Sequence, residues 1–201
     1  MSIEMFSLFP YLIHEINIKT FKQIKDDLTK YAYQERKKDP VGVVVSNMGG
    51  WQSKQLPFKG DSILTSTIIN EIVKYTVVNK IFKEGVKLKF RDMWININKK
   101  GDMNEKHVHP GCDLSGVLWI KTPKDSGTFE FDSPHLFSQF RVMECYSEEI
   151  TKRYNLYPSY WTSPEEGKIV IFPSSLPHKV NPSQSREDRI SVAFNFNVMS
   201  E

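Results

Sequence analysis

The apolar positions of this chain change their spacing near Gly85. Before that residue they recur every three or four positions, which is the period of an amphipathic helix. One such stretch runs over 18–38, and a second begins after Asp61 or Ser62, either of which can cap a helix, and continues towards Ile81. The predicted apolar face of the first helix consists of Phe21, Ile24, Leu28 and Tyr31. The first part of the chain therefore predicts two helices.

After Gly85 the pattern is that of β-strands, with short β-branched and aromatic segments separated by Gly, Pro, Asn and Asp. The segments are KLKFRDMWINI (87–97), LSGVLWIK (114–121), GTFEFD (127–132), GKIVIF (167–172) and RISVAFNFNV (189–198). They indicate a core of the sandwich or barrel type. The expected fold class is α+β and mainly β, in one domain over 1–201, with a helical elaboration over 1–85 in front of a β core over 86–201.

The last strand segment alternates between apolar and polar positions. One face carries Ile190, Val192, Phe194, Phe196 and Val198, and the other carries Arg189, Ser191, Ala193, Asn195 and Asn197. If the apolar face packs against the core, the polar face meets either a ligand cavity or water, as on an edge strand. An arginine in that face suits an anionic ligand, because its planar guanidinium binds both oxygens of a carboxylate. The alternative is that Arg189 is a surface partner of Glu187 or Asp188.

An insertion over 134–165 interrupts the strand pattern. It is less regular than its surroundings, and its aromatic residues are Tyr146, Tyr154, Tyr157, Tyr160 and Trp161. Long insertions in compact domains often serve as lids or binding loops, although some are only decorations. The pattern leaves both interpretations open, and we describe the segment as lid-like.

Composition excludes several classes of protein. The chain has 201 residues, of which 39% are hydrophobic and 12% aromatic, so it is neither disordered nor collagen-like. No apolar stretch approaches the ~20 residues of a membrane span, and the first residues lack the basic region of a secretory signal. We therefore expect a cytoplasmic protein that does not bind membranes. The two cysteines, Cys112 and Cys145, form no CxxC pair, which excludes a thiolate zinc site.

The net charge of +3 is unevenly distributed. Basic residues outnumber acidic ones in 1–100, and the reverse holds in 101–201. The lysines of the first half are scattered along predicted helix faces, and lysines usually occur there because these faces are exposed to solvent. The charge pattern therefore does not favour nucleic acid as a partner. The oligomeric state is not evident from the sequence, and a homodimer stays open.

Three histidines are candidate metal ligands. His107 and His109 are two residues apart, and on an extended chain both side chains project from one face and can reach one ion. The alternative is a pair of hydrogen-bonded or exposed histidines at the entrance of a strand. His178 follows an apolar strand and a turn over 173–175, which would carry its ring back over a neighbouring strand.

Together these motifs resemble the 2OG-Fe(II) oxygenases found in bacteria and tailed phages, which belong to the double-stranded β-helix dioxygenases. The resemblance covers about residues 47–198 with a gap at the insertion. It is carried by GGWQS (49–53), WININKKGDMNEKHVHPGCDLSGVLWIKTP (94–123), FEFDSP (129–134), EEGKIVIFPSSLPHKV (165–180) and DRISVAFN (188–195). It implies a jelly-roll core and hydroxylation of an unidentified substrate that depends on Fe(II), 2-oxoglutarate and dioxygen.

The resemblance also implies roles for individual residues. His107 and His109 match the segment that holds the proximal metal ligands, and His178 matches the distal histidine. Arg189 matches the basic residue that anchors the side carboxylate of 2-oxoglutarate, and Ser191 completes an Arg-x-Ser pattern. The residues at further motif positions, which either line the pocket or are structural, are Trp94, Asn104 and Ser115.

The second metal position departs from the common pattern of the superfamily. The usual triad has two histidines and one carboxylate, whereas here the second position is His109. Asp113 is the alternative carboxylate ligand if the turn at 110–111 folds it back, but we favour the three histidines. Cys112 is expected to be a small buried residue rather than a ligand.

The substrate is not defined by the sequence. By analogy with relatives, the first expectation is a peptidyl prolyl or asparaginyl side chain, the second a small metabolite and the third a nucleobase. Two other functions are compatible with the same residues. One is a cupin-type metalloenzyme that does not use 2-oxoglutarate, and the other is a non-enzymatic phage or bacterial binding module that presents the aromatic insertion to a partner.

Overall fold

The structure is a computed structural model that describes residues 4–58 and 62–200. Its helices are α1 (Phe21–Lys38), α2 (Ile63–Val78) and α3 (Glu148–Tyr154), and 3₁₀ turns span Leu136–Gln139 and Arg141–Cys145. Its strands are β1 (His14–Asn17), β2 (Asn47–Met48), β3 (Trp51–Gln52), β4 (Lys87–Asn98), β5 (Met103–His107), β6 (Leu114–Lys121), β7 (Phe129–Asp132), β8 (Ser159–Thr162), β9 (Lys168–Pro173), β10 (His178–Val180) and β11 (Arg189–Met199).

The strands form two antiparallel sheets. One has six strands in the order β1-β9-β6-β11-β4-β3, and the other has five in the order β2-β5-β10-β7-β8. Two sheets of this kind with crossing connections make a jelly roll. The predicted fold class, a mainly β double-stranded β-helix core with N-terminal helices outside it, is therefore confirmed.

The helices cover the outer face of the six-stranded sheet. Phe21 and Leu28 of α1 are buried, and Ile24 and Tyr31 are partly buried in the same apolar cluster, as predicted. The buried residues that α2 and β11 add to this cluster are Leu64, Ile68, Ile72, Ile190, Val192, Phe194 and Phe196. The apolar face of β11 thus packs against the helices, and its polar face turns towards the second sheet.

The end of α2 differs from the sequence prediction. The apolar pattern continues towards Ile81, but the helix ends at Val78. Lys80 adopts a left-handed conformation with φ of 49°, and the N–H of Ile81 donates to the carbonyl oxygen of Thr76. This is a Schellman ending, which closes a helix at a left-handed residue. At the other end, Ser62 precedes the helix, and Asp61 lies outside the described residues.

A second apolar cluster fills the space between the two sheets. Its members are Val117, Trp119, Phe129, Phe131, Val170, Phe172 and Leu176. β11 lies in the middle of its sheet between β4 and β6, so the interpretation of this segment as an edge strand with a solvated face is wrong. Arg189, Ser191 and Asn195 are buried instead, and they border the space between the sheets.

The insertion over 134–165 is more ordered than its sequence suggests. It contains the two 3₁₀ turns, α3 and β8, and β8 pairs with β7 as the outermost strand of the five-stranded sheet. Its role as a lid stays a prediction. In the described parts of the chain, no helix has the length and apolar character needed to cross a bilayer.

Candidate metal centre

Three histidine side chains from two neighbouring segments meet at one point. His178 at the start of β10 lies opposite His107 at the end of β5, and His109 follows two residues later, with its N–H bonded to the carbonyl oxygen of Ser174. The ring centroids are 4.4 to 5.0 Å apart. One donor nitrogen from each ring lies within 4.8 Å of the others, so one ion can contact all three.

Hydrogen bonds donated by Nδ1 orient all three rings. Nδ1 of His107 lies 2.6 Å from the carbonyl oxygen of Glu105, and Nδ1 of His178 lies 2.9 Å from that of Leu176. Because a carbonyl oxygen only accepts, each Nδ1 carries the hydrogen and each Nε2 keeps a free lone pair. Nε2 of His109 is buried, and no residue that the structure describes forms a hydrogen bond with it, so its lone pair is available to bind a metal ion.

Burial keeps the three rings neutral. Burial lowers the pKa values of His107 and His109. Burial, reinforced by the neighbouring His107, lowers the pKa of His178 to about 3. Its ring packs against Phe172, with centroids 4.6 Å apart. Neutral imidazole is the form that binds a metal ion, so no proton has to be displaced at neutral pH.

Arg189 is a buried cation with unused donors. Its side chain is 1% exposed, and Nη1 donates to the carbonyl oxygens of Ser126 and Asn181. Within residues 4–58 and 62–200, Nε and Nη2 have no hydrogen-bond partner. Burial lowers the pKa of the guanidinium to about 10, which leaves it charged at neutral pH. Two free N–H groups on a buried cation suit a carboxylate ligand.

The surface role considered for Arg189 is wrong. Glu187 forms an ion pair with Lys121 at 3.0 Å, and Asp188 accepts a hydrogen bond from Tyr33 at 2.9 Å. Both carboxylates are therefore engaged by other side chains, while the guanidinium points inwards.

Other buried polar atoms lie beside Arg189. Ser191 stands between Asn96 of β4 and Trp119 of β6 in the register of the sheet. Trp119 Nε1 and Asn96 Oδ1 are also buried, and neither has a hydrogen-bond partner in the part of the chain that the structure describes. The indole N–H is a further donor on this face, and no pattern in the sequence singled it out because a buried tryptophan in a strand is usually part of the core.

The structure does not bring Asp113 to the three rings. Its Oδ2 accepts a hydrogen bond from the N–H of Val198 at 2.8 Å, and the histidine group among the described residues does not include it. Cys112 is half-buried, and its Sγ donates to Ser174 Oγ. Both residues thus have structural partners.

The remaining pocket candidates have different surroundings. The ring of Trp94 lies 5.4 Å from that of His109, and Ser115 Oγ lies 2.8 Å from Nδ1 of His109. Asn104 is buried, and its amide donates to Ser46 Oγ at 3.4 Å. Of the three, Trp94 and Ser115 contact the histidine group.

These residues fit an iron ion and a dicarboxylate. Three neutral imidazoles on one side of an ion leave positions open for further oxygen ligands, an arrangement that suits divalent iron. The unpaired Nε2 of His109 and the unpaired guanidinium nitrogens of Arg189 are the buried atoms that these two groups would satisfy.

Comparison with solved structures finds the same fold in known proteins. A solved structure of a prolyl-4-hydroxylase from Pseudomonas putida is similar, with a TM-score of 0.63, 13% identity and 95% of each chain covered. The collagen prolyl hydroxylase of Paramecium bursaria Chlorella virus-1, solved with 2-oxoglutarate, has a TM-score of 0.59 and 15% identity over 92% of this chain and 94% of that one.

A third similar structure is a prolyl hydroxylase from Trichoplax adhaerens in complex with a peptide of hypoxia inducible factor. It has a TM-score of 0.61 and 10% identity over 92% of this chain and 83% of that one. A comparison with curated protein sequences finds no match. The model of the family described as "Putative 2OG-Fe(II) oxygenase" matches residues 92–195, which is more than half of the chain. The chain therefore belongs to this family of 2OG-Fe(II) oxygenases.

Proposed function

We propose that His107, His109 and His178 hold Fe(II) through their Nε2 atoms and that Arg189 and Ser191 bind the distal carboxylate of 2-oxoglutarate. One observation carries this assignment. The three convergent imidazoles and the guanidinium of Arg189 border the space between the sheets, and both groups contain buried nitrogens without a hydrogen-bond partner among the described residues. When bound, the ion and the cosubstrate supply the oxidation, in which dioxygen and 2-oxoglutarate are consumed and succinate, carbon dioxide and a hydroxylated product are formed.

The charges of the protein ligands favour a dianionic cosubstrate. Three neutral imidazoles leave the charge of a divalent ion uncompensated, and 2-oxoglutarate carries two carboxylates. Arg189 would supply a second positive charge, which suits the distal carboxylate. A carboxylate in place of His109 would make the loaded site more negative, so the three-histidine set suits an anion-rich ligand sphere.

The polypeptide also keeps water away from one side of the site. The rings of Phe129 and Phe172 contact His178 with centroid distances of 5.8 and 4.6 Å, and they belong to the apolar cluster between the sheets. This wall would cover one side of an ion held by the three rings. It also lowers the local dielectric constant, which strengthens the attraction between Arg189 and a carboxylate.

We infer that the substrate is a peptidyl side chain. A cavity of about 1010 Å³ lies between the N-terminal segment and the insertion, and its lining includes Phe131 and Leu176. Leu176 accepts the hydrogen bond from His178, and Phe131 lies opposite His178 on β7. These two residues therefore link the cavity to His178, which is not itself one of the described residues that line it. Its aromatic lining consists of Phe6, Phe9, Tyr11, Phe131, Phe137, Tyr146, Tyr154, Tyr157 and Tyr160.

A cavity of this size with an aromatic lining accommodates an extended peptide, because flat rings pack well against proline side chains and the peptide backbone. Three of the structural neighbours are prolyl hydroxylases, and one of them was solved with a peptide. A small metabolite or a nucleobase would leave most of the cavity unfilled. The cytoplasmic location, the homodimer and the closure of the insertion stay predictions.

The test is succinate formation from 2-oxoglutarate by protein reconstituted with Fe(II), without a prime substrate. We expect slow turnover by the wild type, loss of it in His178→Ala, and wild-type turnover in His14→Gln. His14 is a suitable control because its ring bonds to Tyr75 and lies on β1. Succinate formation that survives the loss of His178 would contradict the ligand assignment.

The same measurement separates the alternative functions. A cupin-type enzyme would bind the metal but form no succinate, and a binding module would do neither. The family assignment already favours the oxygenase over both. Peptide libraries that contain proline and asparagine, analysed by mass spectrometry for a gain of one oxygen atom, then test the substrate class.

A further inference from the structure

A chain of hydrogen bonds lies behind His109. Nδ1 of His109 is 2.8 Å from Oδ1 of Asn195, and Nδ2 of Asn195 donates to Oδ1 of Asp92 at 2.7 Å. Asn195 lies on β11 and Asp92 opposite it on β4. We propose that Asn195, oriented by Asp92, is the positioning residue that selects the tautomer of His109 whose Nε2 is free to bind the metal. This inference rests on the proposed function, which assigns that Nε2 to Fe(II).

Asp92 determines which way the amide of Asn195 points. An ionised carboxylate only accepts hydrogen bonds, so the atom of Asn195 that faces it must be the NH₂ group. The carbonyl oxygen of the amide then faces His109. Because that oxygen also only accepts, Nδ1 of His109 must carry the hydrogen, and Nε2 must carry the lone pair. Each polar atom in this series of hydrogen bonds can therefore act only as a donor or only as an acceptor.

Ser115 does not make this selection alone. Its Oγ lies 2.8 Å from Nδ1 of His109, from Ser174 Oγ and from Oδ1 of Asn195. A hydroxyl both donates and accepts, so a serine beside Nδ1 permits either tautomer. The carbonyl oxygen of Asn195 removes this ambiguity, because it accepts from the serine and from the imidazole. Ser115 supports the arrangement, and Asn195 decides it.

His109 needs this partner more than the other two histidines do. The Nδ1 atoms of His107 and His178 bond to backbone carbonyl oxygens two residues away, at Glu105 and Leu176. His109 has no such backbone partner among the described residues and uses a side chain 86 positions further along. An aspartate at this position would have no tautomer to select. The need for Asn195 therefore arises because the residue at position 109 is a histidine.

Metal affinity is the direct test, measured with Co(II) by calorimetry and by the visible absorption of the bound ion. Asn195→Leu removes the acceptor but keeps the branched shape of the side chain, and we expect Co(II) affinity to fall about 10- to 100-fold. The matched control is Asn197→Leu on the same strand, since Asn197 bonds to the backbone N–H of Asp113 instead. We expect the affinity of this control to stay within about twofold of the wild type.

A double variant separates positioning from packing. Combining Asp92→Asn with Asn195→Asp reverses the two residues but keeps both hydrogen bonds, because the new amide donates to the new carboxylate, which accepts from Nδ1. We expect this swap to restore Co(II) affinity to within about threefold of the wild type. A purely structural role for Asn195 predicts that the swap binds Co(II) as poorly as Asn195→Leu.

The wild-type protein without metal provides a measurement that needs no variant. Two-dimensional NMR of the ¹⁵N-labelled imidazoles reports which nitrogen carries the hydrogen, and we expect the Nδ1–H tautomer at His109. An Nε2–H tautomer there, or wild-type Co(II) affinity in Asn195→Leu, overturns the inference. Absence of succinate formation together with the expected tautomer and affinities overturns the proposed function and leaves the positioning role intact.

Discussion

His178 and His107 lie directly opposite each other on β10 and β5, with their ring centroids 4.4 Å apart. The pairing of two short strands thus brings together residues that are far apart in the sequence. Because the two strands come from different parts of the jelly roll, an ion held by both rings also ties these parts together.

Metal binding is therefore expected to raise the thermal stability of the fold. A ligand that binds the folded state only, present at 100 times its Kd, adds about 2.7 kcal/mol to the free energy of unfolding. We expect Ni(II) to raise Tm and a chelator to reverse the increase. His107→Gln should lose most of the Ni(II)-dependent increase, whereas His135→Gln, outside the group, should keep it. An equal increase in both variants would argue against binding by His107.

Gly116 of β6 is predicted to be essential for the packing of the outer core. A Cβ atom built on it would lie 2.3 Å from Cζ of Phe194, whose ring is fully buried under the helices. Gly116→Ala should therefore destabilise the protein by about 1–3 kcal/mol, as overpacked cores do. Chemical denaturation measures this loss.

A double variant with Phe194→Leu provides the control for Gly116→Ala. Removing ring atoms in Phe194→Leu makes space for the new methyl group, so the double variant should lose less stability than the sum of the single losses. Additive losses would show that the methyl group does not meet Phe194.

Tyr33 links α1 to the residue that precedes Arg189. Its hydroxyl donates to Asp188 at 2.9 Å. Burial, together with the hydrogen bond to Asp188 and its charge, raises the pKa of Tyr33 to about 12. The unfolded chain releases this proton near pH 10, before the folded protein does, so the stabilisation is complete below pH 10 and is lost as the pH rises towards 12.

The corresponding measurement compares the wild type with Tyr33→Phe. At pH 8 the wild type should have the higher denaturant midpoint. At pH 11 the difference between the two midpoints should be smaller. A difference that stays constant between these pH values would mean that the tyrosine does not titrate in this way.

The strand-like segments of the sequence predicted five of the strands, namely β4, β6, β7, β9 and β11. β6 and β11 have long β-branched and aromatic patterns and are mostly buried, as is the second half of β4. The short strands β5 and β10, with the sequences MNEKH and HKV, have no such pattern. Local sequence therefore did not reveal that these two strands pair, although this pairing brings His178 to His107.

Long-range contacts explain what could not be predicted of the site. The spacing of His107 and His109 marked them as a pair, and the alternation of β11 placed Asn195 on its polar face. The role of Asn195 depends on its contacts with His109 and Asp92, which are 86 and 103 positions away in the sequence. Such contacts depend on sheet register, which a single sequence does not specify.

Arg189 is expected to determine the affinity for 2-oxoglutarate without affecting the metal. Arg189→Lys keeps the charge but loses the planar pair of donors, and each lost charge-assisted hydrogen bond costs about 1.5–3 kcal/mol. The KM for 2-oxoglutarate in succinate formation should therefore rise about 10- to 100-fold. The Co(II) affinity should stay at the wild-type value, because the guanidinium does not belong to the histidine group. Arg186→Lys, at an exposed position in the preceding loop, is the matched control and should leave both values unchanged. An unchanged KM in Arg189→Lys would show that the cosubstrate is anchored elsewhere.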